Sequence, residues 1–151
     1  PGQEASFYDQ FLKDKNISFV LNETYALLNV AYAALVTSGT ATLETALFKV
    51  PQVVLYKGNQ ISYEIAKRII TLRYISLVNL IMDDDVVVEL IQRDCNSKKI
   101  EEEFKKITVG EKRFKILADY EKLICNLGGR GASKHVADEI IKNHKKTIST
   151  N

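Results

Sequence analysis

Ala33-Ala34-Leu35-Val36-Thr37-Ser38-Gly39-Thr40-Ala41-Thr42-Leu43-Glu44-Thr45-Ala46-Leu47-Phe48, with Pro51-Gln52-Val53-Val54-Leu55-Tyr56 close behind it, decides the fold of this chain. Residues 33–37 form a short apolar run that reads as a buried strand. Ser38-Gly39-Thr40 follows directly as a small-residue turn, and Ala41 to Phe48 carries Leu43, Ala46 and Leu47 at helical spacing. Pro51 opens another strand over residues 52–56, and Lys57-Gly58-Asn59 leads into a helix with Ile65, Ala66, Ile69 and Ile70 inward. Strands that are apolar throughout and separated by helices predict an α/β fold with a parallel sheet covered on both faces. Such sheets bind ligands beyond the carboxyl ends of their strands.

Outward from this unit, Phe7, Phe11 and Leu12 recur at helical spacing between residues 4 and 14. Ile17 to Leu21 reads as a short strand, and Thr24 caps a helix through Tyr25, Leu27, Leu28 and Val30. After the apolar run Ile75 to Ile81 the chain reads as helical over residues 86–92, 98–107, 111–127 and 132–143. Gly128-Gly129-Arg130-Gly131 separates the last two, and Ser133 caps the final one. Residues 1–95 are thus read as a ligand-binding α/β domain, and 96–151 as a helical C-terminal extension of it.

Composition narrows the function classes. The 151 residues are 46% hydrophobic and 26% charged, ordinary values for a folded soluble domain. With 21 basic against 19 acidic residues, charge gives no argument for a nucleic-acid partner. Cys95 and Cys125 form no CxxC pair and stand in no ligand pattern with His135 or His144, so no structural zinc is expected. No run approaches the roughly 18 apolar residues of a spanning helix, so membrane contact is expected to be peripheral. The opening Pro1-Gly2-Gln3-Glu4 runs straight into an amphipathic stretch, which reads as a piece of a longer protein.

The first place for chemistry is Ser38-Gly39-Thr40. A helix N-terminus presents unpaired amides and a positive dipole end to an anion, and Gly39 lets that backbone approach closely. Ser38 and Thr40 add hydroxyl donors suited to a diphosphate; an ordinary N-cap with a tight turn explains the same residues. Glu44 lies one helical turn further, where a carboxylate can accept two hydroxyl hydrogen bonds from a ribose diol, or stand simply as a solvated glutamate.

Ser38 to Leu47, then Pro51-Gln52-Val53-Val54 with Tyr56-Lys57, Ala66-Lys67-Arg68 and Tyr74 to Ile81, resembles the lipid-A-disaccharide synthases in wording and order. The likeness is close over residues 17 to 95, and Gly131-Ala132-Ser133 echoes the family's C-terminal end. The resemblance implies one half of a B-type (GT-B) glycosyltransferase, a Rossmann-like domain that holds the UDP part of the donor. The reaction it implies joins UDP-2,3-diacylglucosamine to 2,3-diacylglucosamine 1-phosphate, giving the disaccharide phosphate and UDP, with inversion at the anomeric carbon and without metal or cofactor. By resemblance, Ser38, Gly39 and Thr40 match the diphosphate turn and Glu44 the ribose-contacting glutamate. Asn79 matches the asparagine of a Ser-Leu-x-Asn-Leu motif near the donor, and Tyr56 and Lys57 match a Tyr followed by a basic residue beside uridine or phosphates. Leu55 and Val78 stand where the family often has Gly and Pro, and both suit a strand. The family's general base lies in the N-terminal domain and has no counterpart here, so the chain alone is expected to be inactive.

Other signals are read as structural. Asp83-Asp84-Asp85 spells the DxD of metal-dependent glycosyltransferases, yet it immediately precedes the apolar run 86–91, where aspartates cap a helix start. Lys67, Arg68 and Arg73 around Ile65, Ile69, Ile70 and Leu72 form either a solvated face or a contact with anionic lipid head groups. The resemblance, with its acylated substrates, implies a peripheral place on the cytoplasmic face of the inner membrane, and an apolar docking seam favours homo-oligomers. Lys98 to Lys106 reads as a solvated helix face with intrahelical ion pairs. Two rivals remain: a UDP-N-acetylglucosamine 2-epimerase-like enzyme, and a non-catalytic UDP-sugar-binding or assembly module.

Overall fold

The computed structural model describes residues 5–12, 17–58 and 73–128, with positions 137, 140 and 141 besides. In chain order the elements are α1 (Ala5–Leu12), α2 (Thr24–Val30), β1 (Ala34–Thr37), α3 (Thr40–Leu47), β2 (Gln52–Tyr56), α4 (Leu77–Met82), β3 (Val88–Ile91), α5 (Ser97–Thr108) and α6 (Glu111–Asn126). The three strands form one parallel sheet in the order β1-β2-β3 with helices around it, the α/β architecture expected. The register pairs Val36 with Val54 and Leu55 with Leu90, so the strands end nearly level, at Thr37, Tyr56 and Ile91.

Burial explains why these segments are strands. Val53 and Val54 are fully covered, and with Ala46, Val78, Val87, Leu90, Ile107, Ile116, Tyr120 and Leu123 they make a single core. Helix α5 packs on β2 and β3, and α6 touches α3, α4 and α5, so the late helices share that core with the sheet. One polar tie crosses it. Gln52, fully buried, donates from Nε2 to the Thr42 carbonyl at 2.8 Å and to the Tyr120 hydroxyl at 3.1 Å. Burial pushes the Tyr120 phenol well above its ordinary value, so it stays a neutral partner there.

The structure departs from several expectations. Residues 86–92 are not a helix: Val88 to Ile91 is strand β3, because β-branched residues fit a pleated, covered surface better than a helix. The aspartates before it therefore start no helix. Asp83 is the left-handed C-cap of α4, with φ 49°, and Asp84 Oδ1 accepts the Asp85 amide at 2.8 Å. The apolar run at 75–81 becomes α4, started by Ser76, whose hydroxyl oxygen accepts the Asn79 amide. Val78 therefore occupies the first turn of a helix rather than a strand, a place that also suits the proline carried there in the resembled family. Residues 17–21 form no strand; they are irregular and exposed, with Ile17 57% accessible. Thr24 begins α2 but does not cap it, Glu23 holding the cap position without a side-chain bond.

Helix α5 carries the ion pairs read from sequence, Lys105 with Glu101 and Lys106 with Glu103, and Lys112 joins the latter from α6. The expected helix at 65–70, the glycines after 128, Lys67, Arg68 and both histidines lie outside the described residues, as does the helix expected at 132–143 except for positions 137, 140 and 141, which are helical. No described helix is long and apolar enough to cross a membrane.

Candidate functional site

The carboxyl ends of β1, β2 and β3 gather three loops. The first is the turn at Ser38. Its amide donates to the Leu55 carbonyl at 3.1 Å, which pins the turn over the neighbouring strand. Gly39 then adopts φ 147° and ψ −164°, a conformation essentially reserved for glycine. A Cβ added there meets nothing within 4 Å, so backbone conformation, not space, selects the residue.

Because Gly39 is the N-cap of α3 and offers no side chain, the first amides of that helix have no side-chain cap. The polar residues beside it do other work: Thr42 Oγ1 donates back to the Gly39 carbonyl at 2.8 Å, and Ser38 Oγ donates to the Ile75 carbonyl at 3.0 Å. This is not an ordinary Ser/Thr N-cap. The turn leaves uncapped amides at the positive end of a helix dipole, next to the exposed Thr40.

One turn along α3, the half-buried Glu44 lines a cleft of about 450 Å³ together with Asn22, Glu23, Thr24, Tyr25 and Ala26. Asn22 turns the chain in the left-handed region at φ 60°, and the Tyr25 ring stacks on Phe48 at 5.4 Å, which fixes the cleft wall to α3. The second loop holds the exposed Tyr56 and Lys57. Gln92, at φ 51° just beyond β3, anchors it: the Gln92 amide donates to the Tyr56 carbonyl at 2.8 Å, and Gln92 Oε1 accepts the Gly58 amide at 3.3 Å.

The third loop, residues 73–76, leads into α4. Asn79 is 1% exposed, and its amide is fully engaged: Nδ2 donates to the Val87 carbonyl at 2.9 Å and to Glu89 at 3.0 Å, while Oδ1 accepts the Val87 amide at 2.9 Å. Ser38 and Asn79 are thus brought to the two sides of one loop, with Tyr56 and Lys57 at the next strand end and Glu44 opening onto the cleft beside the first helix. The sequence reading missed Glu89 and Gln92, which hold these loops; its signal was available, a carboxylate within the apolar run 86–91. Arg73 is exposed, its guanidinium 5.0 Å above the Tyr74 ring and 3.7 Å from Asp85. Among the described residues no group of three His, Cys, Asp or Glu is arranged to hold a metal ion.

A family model described as lipid-A-disaccharide synthetase matches residues 3–142. The chain is 32% identical over 149 residues to a lipid-A-disaccharide synthase of Rickettsia felis, covering 94% of this chain and 37% of that protein. It is 37% identical over 137 residues to the lipid-A-disaccharide synthase of Syntrophus aciditrophicus, covering 89% of this chain and 36% of that one. The lipid-A-disaccharide synthase of Histophilus somni is 44% identical over 86 residues, 57% of this chain and 22% of that protein. The chain therefore spans between about a fifth and two fifths of the length of these relatives.

Proposed function

Because the chain belongs to the lipid-A-disaccharide synthetase family, we propose that it forms the UDP-donor-binding part of a glycosyltransferase that joins UDP-2,3-diacylglucosamine to 2,3-diacylglucosamine 1-phosphate. The observation that carries this reading is the glycine-only turn at Gly39, which starts α3 without a side-chain cap at the carboxyl end of β1, with Glu44 one turn away in a cleft of about 450 Å³. In this reading the amides at the start of α3 and the Thr40 hydroxyl hold the diphosphate. Glu44 accepts the ribose hydroxyls, and the segment 22–26 walls the nucleoside. Ser38 shapes the turn, and Tyr56 and Lys57 flank the phosphates. Asn79 contributes through the loop it holds beside the donor.

The chemistry follows from charge. Glycosyl transfer releases UDP, and negative charge builds on its β-phosphate as the bond to the anomeric carbon breaks. Oriented amides, a helix dipole and the Lys57 ammonium stabilise that charge where it develops, and none of them reorganises to do so. The acceptor hydroxyl attacks from the opposite face, which inverts the anomeric centre. Its proton goes to a general base that the resemblance assigns to another part of the enzyme, so turnover requires that part. Acylated substrates place the reaction at a membrane surface, peripherally and on the cytoplasmic side.

Calorimetric titration with UDP tests the reading. The expected result is binding by the unaltered chain, weakened by about tenfold or more in Glu44→Ala and in Gly39→Val, about 1.4 kcal/mol or more. A chain shown to be folded that binds no UDP would overturn it.

A further inference from the structure

We infer that Glu89 is a positioning residue, holding the Ser38–Gly39 turn in its ligand-ready geometry through the loop at residues 75 and 76. Glu89 lies within β3, paired in register with Val54 of the central strand. Its carboxylate has three N–H donors: Ile75 to Oε2 at 2.9 Å, Ser76 to Oε1 at 2.9 Å and Asn79 Nδ2 to Oε1 at 3.0 Å. Three amide donors thus satisfy this carboxylate at the distances of charge-assisted hydrogen bonds.

The consequence lies on the other side of Ile75. The residue whose amide is held by Glu89 offers its carbonyl to Ser38 Oγ at 3.0 Å, and Thr42 Oγ1 on α3 accepts the Leu77 amide at 3.3 Å. Ile75 is therefore clamped from both directions, between a carboxylate on β3 and a hydroxyl at the end of β1. The strands β1 and β3 are not neighbours, since β2 lies between them. The loop thus carries a constraint past β2, from β3 to the turn that starts α3. Glu44 and the segment 22–26 lie outside this chain of contacts, so the linkage acts on the diphosphate end of the site and leaves the nucleoside end alone. Positional errors of about 1 Å in such a site are enough to lower affinity and rate by large factors.

This inference rests on the donor-site reading above, and the test separates the two. UDP affinity is measured by calorimetry and uridine affinity by NMR titration, for the unaltered chain and for Glu89→Gln, which keeps the shape but turns one acceptor into a donor facing N–H groups. The expected result is a loss of about tenfold for UDP with uridine changed by less than about twofold. A folded Glu89→Gln chain that binds UDP as the unaltered chain does, or that loses UDP and uridine equally, overturns the positioning role while leaving the donor site standing. If the substitution prevents folding, hydrogen exchange on the unaltered chain decides. UDP, but not uridine, is expected to slow exchange at the Ile75 and Ser76 amides, and unchanged rates overturn the inference. A folded unaltered chain that binds no UDP overturns the donor-site reading itself, and this inference with it.

Discussion

Replacing Asn79 by aspartate changes one NH2 group into an oxygen and little else in shape, and its effect on stability is calculable from three distances. In the native chain Nδ2 donates to the Val87 carbonyl at 2.9 Å and to Glu89 Oε1 at 3.0 Å, and Oδ1 accepts the Val87 amide at 2.9 Å. Asn79→Asp keeps the last bond and sets two acceptors against the new oxygen. Two unit charges 3.0 Å apart repel by about 5–6 kcal/mol at an effective dielectric of about 20. Placing a proton on one carboxyl of the pair at pH 7 costs only about 4 kcal/mol, since an ordinary aspartate titrates about three units lower at about 1.4 kcal/mol per unit. The cheaper route wins, so the variant takes up about one proton on folding.

A carboxyl pair whose folded-state affinity for protons is raised contributes stability at low pH that is lost as pH rises. The penalty relative to the unaltered chain should therefore grow by about 1.4 kcal/mol per pH unit between about pH 4.5 and 7. It should start from the 1–2 kcal/mol of one lost hydrogen bond and reach about 4.5–5.5 kcal/mol, enough to unfold a marginal domain. The chain has no Trp, so urea unfolding followed by far-UV circular dichroism is the suitable assay. A penalty that does not vary with pH would refute the reasoning, because it would mean that Nδ2 does not face a carboxylate.

Two further outcomes are expected. Gly39→Ala places a side chain in open space but at φ 147°, and should destabilise by about 1–3 kcal/mol in urea unfolding while weakening UDP binding; an unchanged midpoint would show that the turn relaxes at no cost. Asp119 is 6% exposed; burial pushes its carboxyl up, but hydrogen bonds from Lys122 and Lys115 outweigh this and leave it below its ordinary value. Its contribution is thus present above pH 3.8 and lost as pH falls through the lower folded value. Asp119→Asn should remove on the order of 1 kcal/mol at neutral pH and flatten the acid limb of the stability curve.

The central unit from β1 to β2 was legible because two apolar runs flank a small-residue turn, and each of those three signals has a single local cause. Elsewhere the local signal was outweighed. Val86-Val87-Val88-Glu89-Leu90-Ile91 has no polar alternation to mark a strand, and three aspartates before it mimic a helix start; pairing with Val53 to Tyr56 decides the matter, and pairing is not local. Helix α4 has six residues, too few for a period to register, although Ser76 three residues before Asn79 is a cap signal in its own right. Residues 17–21 have strand composition, but among the described residues nothing pairs with them. Of the candidate site, the glycine conformation of the turn and the place of Glu44 one helical turn along were readable, because conformation and spacing constrain single residues. Glu89 shows in the sequence only as a carboxylate within an apolar run, and the loops that it and Gln92 hold could not be read, because their partners lie far away in sequence.

This difference bears on how the Ser-Leu-x-Asn-Leu stretch works. Ser76 caps α4 and Asn79 binds both backbone groups of Val87, so each polar residue of the motif closes a bond within the chain. The Asn79 amide has both its donors and its acceptor engaged in a place almost closed to solvent. A direct bond to a sugar would require it to abandon one of these, at about 1–3 kcal/mol for the buried group left behind, more than a typical new hydrogen bond returns. The motif therefore acts most cheaply through geometry. It fixes the loop whose Ile75 carbonyl receives Ser38, so in the proposed donor site Asn79 would set where the amides of α3 stand without itself contacting the diphosphate.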